Sequence, residues 1–167
     1  MIVWAHRILG GEMFEEDREH LETAYQAATR PEVRDSPYIR RVLDKVDGWN
    51  IYLISEYAER TLLDAIQNER GPVERRAVVE NVGAAVAVFH SLGLVHCDVH
   101  PANVLQVDGV WKLADLGSVT KHGEHITSRP PERYRDFFPT DVDFGSPAEY
   151  RIDNYGLERL DAILAGE

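Results

Sequence analysis

The sequence is poor in cysteine, in positive charge and in long apolar runs. One cysteine, Cys97, stands in 167 residues. That excludes an intrachain disulfide and a cysteine-based zinc site, and it agrees with a reducing compartment. Eighteen Lys and Arg face 29 Asp and Glu, for a net charge of −11. Such a chain repels DNA and RNA, so a nucleic-acid partner is not expected; solubility is the plain meaning of the charge. No segment approaches the ~18 consecutive apolar residues of a membrane span, so no membrane partner is expected. The start, MIVWAHRILGGEMFEEDRE, soon turns acidic and does not read as a secretory signal. A cytoplasmic protein is expected. Internal repeats and low-complexity tracts are missing too.

What is present is an ordinary globular mixture, 44% hydrophobic and 28% charged. Residues 1–9 are β-rich and read as a strand closed by Gly10-Gly11. Residues 13–29 space Phe14, Leu21, Tyr25 and Ala28 as an amphipathic helix that stops before Pro31. Segments 38–46 and 49–57 read as strands joined at Asp47-Gly48. A short helix follows at 61–68. Val78, Val79, Val82, Ala85, Val86 and Phe89 mark a long buried helix over about 73–92, with Gly93 as its cap. Two strands, 103–107 and 110–114, turn at Asp108-Gly109. Residues 117–150 read mostly as loop, and a last helix runs from Asp153 to Ala165. The order predicts an α+β fold, a small sheet-bearing part followed by a mainly helical part.

The chemistry concentrates in 96–117, HCDVHPANVLQVDGVWKLADLG. Asp98 and Asn103 flank a proline in the loop after the long helix, and Asp115 sits past the end of a hairpin. A hairpin brings its two ends together, so Asn103 and Asp115 are expected to be neighbours. Hard oxygen ligands grouped this way suit Mg²⁺, which takes one or two carboxylates plus phosphate oxygens. A further carboxylate can orient a hydroxyl nucleophile. Each residue alone reads as ordinary loop chemistry; the ordered set is what carries the signal.

This segment resembles the catalytic loop and metal loop of the protein kinase superfamily, H-R-D-L-x-x-x-N followed by D-F-G. His96-Cys97-Asp98 matches the first triplet, Asn103 the loop asparagine and Asp115-Leu116-Gly117 the second triplet. The resemblance extends to 49–58 (fifth strand and hinge), to 73–92, and to Arg151–Gly156, whose Asp153 holds the catalytic-loop backbone in that family. Pro131-Glu132 stands for the end of the activation segment. The resemblance implies a reduced, eukaryotic-like Ser/Thr protein kinase fold. Residues 1–58 would form the small lobe and hinge. Residues 59–167 would form a truncated large lobe, with catalytic loop 96–104, metal loop 115–117, activation-like segment 118–150 and central helix 153–165.

ATP and Mg²⁺ are the implied cofactors. Asp98 would take the substrate proton, and Asn103 and Asp115 would hold Mg²⁺. His96 and Leu116 would stack in the core between lobes. The Glu56 carbonyl and Ala58 amide would pair with the adenine edge, Leu105 would lie under its ring, and Ser55 would be the gatekeeper. His6 falls where the strand lysine is expected, with Arg7 beside it, and Glu19 is the favoured ion-pair glutamate among Glu15, Glu16, Glu19 and Glu22.

Departures keep other readings open. There is no G-x-G-x-x-G loop and no strand lysine. Cys97 replaces the arginine through which activation-loop phosphates usually act, which makes Thr120, Thr127 and Ser128 poor regulatory sites. His100 makes the loop similar to aminoglycoside and choline phosphotransferases, whose substrates are small molecules. Three functions follow: an active Ser/Thr protein kinase, a pseudokinase that binds a partner, or a small-molecule kinase. The last helix carries Leu157, Leu160, Ile163 and Leu164 over a wide arc. Without the family's last helices to cover that arc, and with the N-lobe edge left without its first two strands, a homodimer or hetero-complex is predicted through the central-helix face, the N-lobe edge, or both. The alternative is that loop 118–150 folds back as the cover.

Overall fold

The computed structural model describes residues 15–47, 51–68, 73–127 and 131–166. The expected first strand, with His6 and Arg7, lies outside them, as does the turn at Gly48. Helix α1 (Glu15–Ala28) ends before Pro31, and Pro31 itself opens the short α2 (Pro31–Arg34). A proline has no amide to donate, and at a helix's first position none is needed.

Strands β1 (Val42–Asp47) and β2 (Ile51–Ser55) pair antiparallel, with Val46 opposite Tyr52 and an irregularity between Val42 and Asp44. A two-residue strand β3 (Arg60–Thr61) leads into α3 (Leu62–Gln67). Thr61 caps that helix by accepting from the Asp64 amide at 2.9 Å, while Asp64 reaches back to the Thr61 amide.

Helix α4 (Arg75–Ser91) buries Val78, Val82, Ala85, Val86 and Phe89, the face its periodicity marks. Gly93 follows at φ 70°, the left-handed step that ends a helix. Strand β4 (Leu94–Val95) carries the chain into the catalytic loop, and a 3₁₀ turn (Pro101–Asn103) leaves it.

Strands β5 (Val104–Val107) and β6 (Val110–Leu113) then form the second hairpin. Its turn residues Asp108 and Gly109 both have positive φ, 49° and 76°. That pair of angles is why an Asp-Gly turn suits a tight hairpin. Strand β3 joins the same sheet, in the order β3-β5-β6.

Strand β7 (Thr120–Lys121) pairs with β4, which pins the start of the expected loop. A 3₁₀ segment at Glu132–Phe137 follows, and α5 (Tyr150–Ala165) closes the described fold. Helix α5 starts three residues before the expected Asp153, so Asp153 lies in its first turn. Among the described residues, no helix is long and apolar enough to cross a membrane.

Helices α4 and α5 pack closely. A Cβ at Gly83 would lie 3.4 Å from Leu157 Cδ2. Gly156 is tighter still: a Cβ there would meet the Val99 carbonyl oxygen at 2.6 Å. The side-chain-free position lets α5 touch the catalytic loop.

The expected apolar patch on α5 is not exposed. Leu160 is fully buried, and Leu157, Ile163 and Leu164 are partly buried against the core. Tyr134, Phe137, Phe138 and Val142 are buried as well, and the Glu132–Phe137 turn packs on α5. The folded-back loop covers α5 together with α4, against which Leu157 lies. Its apolar residues have no helical or strand period, so their common destination shows only in three dimensions.

Candidate active site

Asp153 organises the catalytic loop from beneath. Its carboxylate is fully buried and accepts from the His96 amide at 2.8 Å and the Cys97 amide at 2.9 Å. His90 Nε2 is 3.0 Å from the same carboxylate. These bonds hold Cys97 at φ 63°, a left-handed conformation that non-glycine residues rarely adopt. Burial pushes the Cys97 thiol well above its ordinary pKa, which leaves it un-ionised and a poor nucleophile.

Asp98 and Asn103 are bound together. Asn103 Nδ2 donates to Asp98 Oδ2 at 2.7 Å and to the Asp98 carbonyl at 3.0 Å. The Asp98 side chain is 13% exposed. Its Oδ1 is 3.4 Å from His100 Nε2 but takes no hydrogen bond among the described residues. A buried carboxylate oxygen in that condition calls for a donor.

His100 is buried, stacks on Tyr134 at 3.8 Å between ring centroids, and places Nε2 3.2 Å from Asn103 Nδ2. It therefore wedges the catalytic loop against the covering segment. His96, also fully buried, donates from Nε2 to the Ala114 carbonyl at 3.2 Å, and burial lowers its pKa so that it stays neutral. Phe89 meets the His96 ring edge-on at 5.5 Å.

The β5–β6 hairpin closes the site as its spacing requires. The Ala114 amide donates to the Asn103 carbonyl at 2.8 Å, which sets Asp115 beside the catalytic loop. Asp115 has φ 62° and ψ 80°, and its side chain is about half-exposed. Burial alone would raise its pKa. His20, whose Nε2 is 3.6 Å from Oδ1, outweighs that with help from His96 and the Gly117 amide, and the carboxyl is pulled down to about 2.

A permanently ionised, accessible carboxylate next to an asparagine fits Mg²⁺. Among the described residues no three His, Cys, Asp or Glu side chains form a metal-holding group.

His20 was not singled out by sequence. It lies on α1 against Gly117, where a Cβ would overlap its ring. The family pattern puts a carboxylate on that helix, not an imidazole. Glu19, favoured as the ion-pair partner of position 6, is exposed, and position 6 lies outside the described residues. Glu22, on the same helix, meets Lys45 Nζ of β1 at 2.8 Å.

The hinge differs from expectation at Glu56. Arg40 donates from Nε and Nη2 to the Glu56 carbonyl at 3.0 and 2.8 Å, so the acceptor expected to meet adenine is taken. The buried Glu56 carboxylate holds Arg41 Nε at 2.7 Å, the Arg41 amide at 3.1 Å and Lys112 Nζ at 2.8 Å. Burial would raise its pKa, but these donors together lower it. Ser55 ends β2 opposite Val42, Ala58 follows in the connection to β3, and Leu105 pairs with Thr61 and Lys112 in the sheet. All three are partly buried.

The family model described as the protein kinase domain matches residues 16–147. The chain belongs to the protein kinase domain family. Curated relatives include the dual specificity protein kinase Ttk of Danio rerio, 33% identical over 100 residues, which are 52% of this chain and 10% of the relative. The serine/threonine-protein kinase PknL of Mycobacterium tuberculosis is 43% identical over 77 residues, 44% of this chain and 19% of the relative. The serine/threonine-protein kinase ArnS of Sulfolobus acidocaldarius is 28% identical over 117 residues, 57% of this chain and 18% of the relative. The matched part of this kinase-family chain thus spans between a tenth and a fifth of those proteins.

Proposed function

We propose that this kinase-fold protein transfers the terminal phosphoryl group of a purine nucleoside triphosphate, with Mg²⁺, to a Ser or Thr hydroxyl of a protein, in the cytoplasm. The observation that carries the reading is the joined set Asp98, Asn103 and Asp115, in which Asn103 clamps Asp98 and its carbonyl anchors the residue before Asp115. A bound Mg²⁺–triphosphate supplies the electrophilic γ-phosphorus. Asp115 and Asn103 would hold the metal, and Asp115 needs no proton loss to do so near neutral pH. Asp98 orients the substrate hydroxyl and takes its proton as that oxygen bonds phosphorus and the bond to the leaving diphosphate breaks. Leu105 and the 55–58 hinge would receive the base.

A second reading, a binding module with little catalysis, draws on Arg40 at the Glu56 carbonyl, which closes part of the expected adenine edge. His100, the residue behind the small-molecule alternative, stacks inward on Tyr134.

Single-turnover phosphotransfer to a mixed-sequence Ser/Thr peptide pool separates these readings. Asp98→Asn is expected to lower the rate by roughly 10²–10⁴-fold, the usual worth of a positioned acid–base group. It should leave Mg-nucleotide binding within about two-fold by calorimetry. Asp115→Ala is expected to abolish the thermal stabilisation that saturating Mg-nucleotide gives the wild type. Binding without any turnover in the wild type decides for the binding module.

A further inference from the structure

Arg40 stands at the end of β6 and reaches the hinge. Its backbone amide donates to the Leu113 carbonyl at 2.8 Å, two residues before Asp115, and its neighbour Ile39 bridges Leu113. Its guanidinium then spans to the Glu56 carbonyl with two hydrogen bonds. A carbonyl oxygen has two lone pairs, and here both are engaged. The guanidinium has five N–H donors, of which two are spent on Glu56; the others have no hydrogen-bond partner among the described residues. Asp115 lies close enough to act on the Arg40 charge. The hinge carbonyl that would accept from a base is therefore occupied by a group with N–H donors to spare.

Donors and acceptors at position 6 separate the purines. Adenine presents an amino group there, a donor, and guanine presents a carbonyl oxygen with N7 beside it, both acceptors. An amino group facing a guanidinium is a donor facing a donor, with its own acceptor already occupied. A 6-carbonyl facing the same guanidinium is the paired arrangement that arginine makes with guanine.

Resting on the reading of 55–58 and Leu105 as the base site, we infer that Arg40 selects the nucleobase and that the site takes a 6-oxopurine nucleotide, of the guanosine triphosphate class, in preference to ATP. Glu56 and Leu113 position Arg40 for that task. Asp115 serves the phosphate end whatever the base.

Calorimetric titration of the full chain with Mg-GTP, Mg-ITP and Mg-ATP tests this. The wild type is expected to bind GTP and ITP at least about ten-fold tighter than ATP, the lower range for a good bidentate arginine–guanine contact. Inosine has the 6-oxo group without guanine's 2-amino group, so agreement between ITP and GTP assigns the preference to position 6. Arg40→Met, which uncovers the Glu56 carbonyl, is expected to reverse the order in favour of ATP. Arg40→Lys, a milder change to the fold, is expected to shrink the preference. Wild-type ATP affinity equal to or above that for GTP overturns the inference, as does a GTP preference that survives Arg40→Met. In either case the site reading stands if Asp115→Asn still abolishes binding. Failure of all three nucleotides to bind the wild type and both Arg40 variants overturns the base-site reading together with the inference.

Discussion

At the scale of the residue, Glu56 shows how one buried carboxylate serves several partners. It ties the hinge to β6 through Lys112 and to the entry of β1 through Arg41. Its pKa is lowered in the fold, so its contribution to stability is fully present above the unfolded value, about 4.3. That contribution is lost as pH falls through the lower, folded value. Glu56→Gln is expected to cost about 2–3 kcal/mol at pH 7, the scale of lost charge-assisted hydrogen bonds. The gap from wild type in urea midpoints should close as pH is taken from 5 to 3. A gap independent of pH would show that the carboxylate charge is not what holds the hinge. Arg41 is about half-exposed, whereas Lys112 is only 12% exposed, so most of the effect belongs to Lys112.

At the scale of the element, the contact between α5 and the catalytic loop decides the site's rigidity. Asp153→Ala leaves two buried backbone amides without their acceptor. At about 1–3 kcal/mol for each unsatisfied group, the loss is expected to reach several kcal/mol. The left-handed Cys97 conformation should relax with it, and protease cleavage within 96–103 should become measurable under native conditions. Gly156→Ala tests the same contact by crowding. Its Cβ would meet the Val99 backbone, which cannot swing aside as a side chain can. A cost of about 1–3 kcal/mol is expected from such overpacking, with phosphotransfer reduced by more than the stability loss explains. If Gly156→Ala melts and reacts like wild type, α5 does not set the height of the catalytic loop.

At the scale of the whole molecule, the apolar side chains most open to solvent among the described residues are not those of α5. The large exposed hydrophobic residues among those described are Leu43 and Val46 on β1, Tyr57, Val110 and Phe144. We propose that a second copy or another protein, where one associates, uses the β1 side, on which Leu43 and Val46 are exposed. Leu43→Glu is expected to keep stability within about 0.5 kcal/mol, as surface changes do, and to lower the mass seen by light scattering at high concentration if copies associate there. Leu160→Glu is expected to cost more than about 4 kcal/mol, because it places a charge at a fully buried core position. A Leu160→Glu chain with the wild-type melting temperature would mean that α5 is not packed on the core in solution.

Local chemistry made much of the architecture legible in the sequence. Asp108-Gly109 demands a tight turn, the valines of 78–86 demand a buried helical face, and the hairpin between Asn103 and Asp115 forces those two residues together. Each signal acts over a few residues through backbone angles or side-chain period, so it survives without knowledge of the rest of the chain. The joining of Asp98, Asn103 and Asp115 was visible for the same reason.

Tertiary structure alone decided four things. Arg40 settles on a carbonyl 16 residues away. His20 presses on Asp115 from another helix. Glu22 of α1 meets Lys45 of β1. The aromatic residues of 134–138 close over α5. These contacts are made by long or irregularly spaced side chains whose partners are chosen by packing. Such a choice has no period and no local backbone signature, which is why it appears only when distant segments are brought into contact.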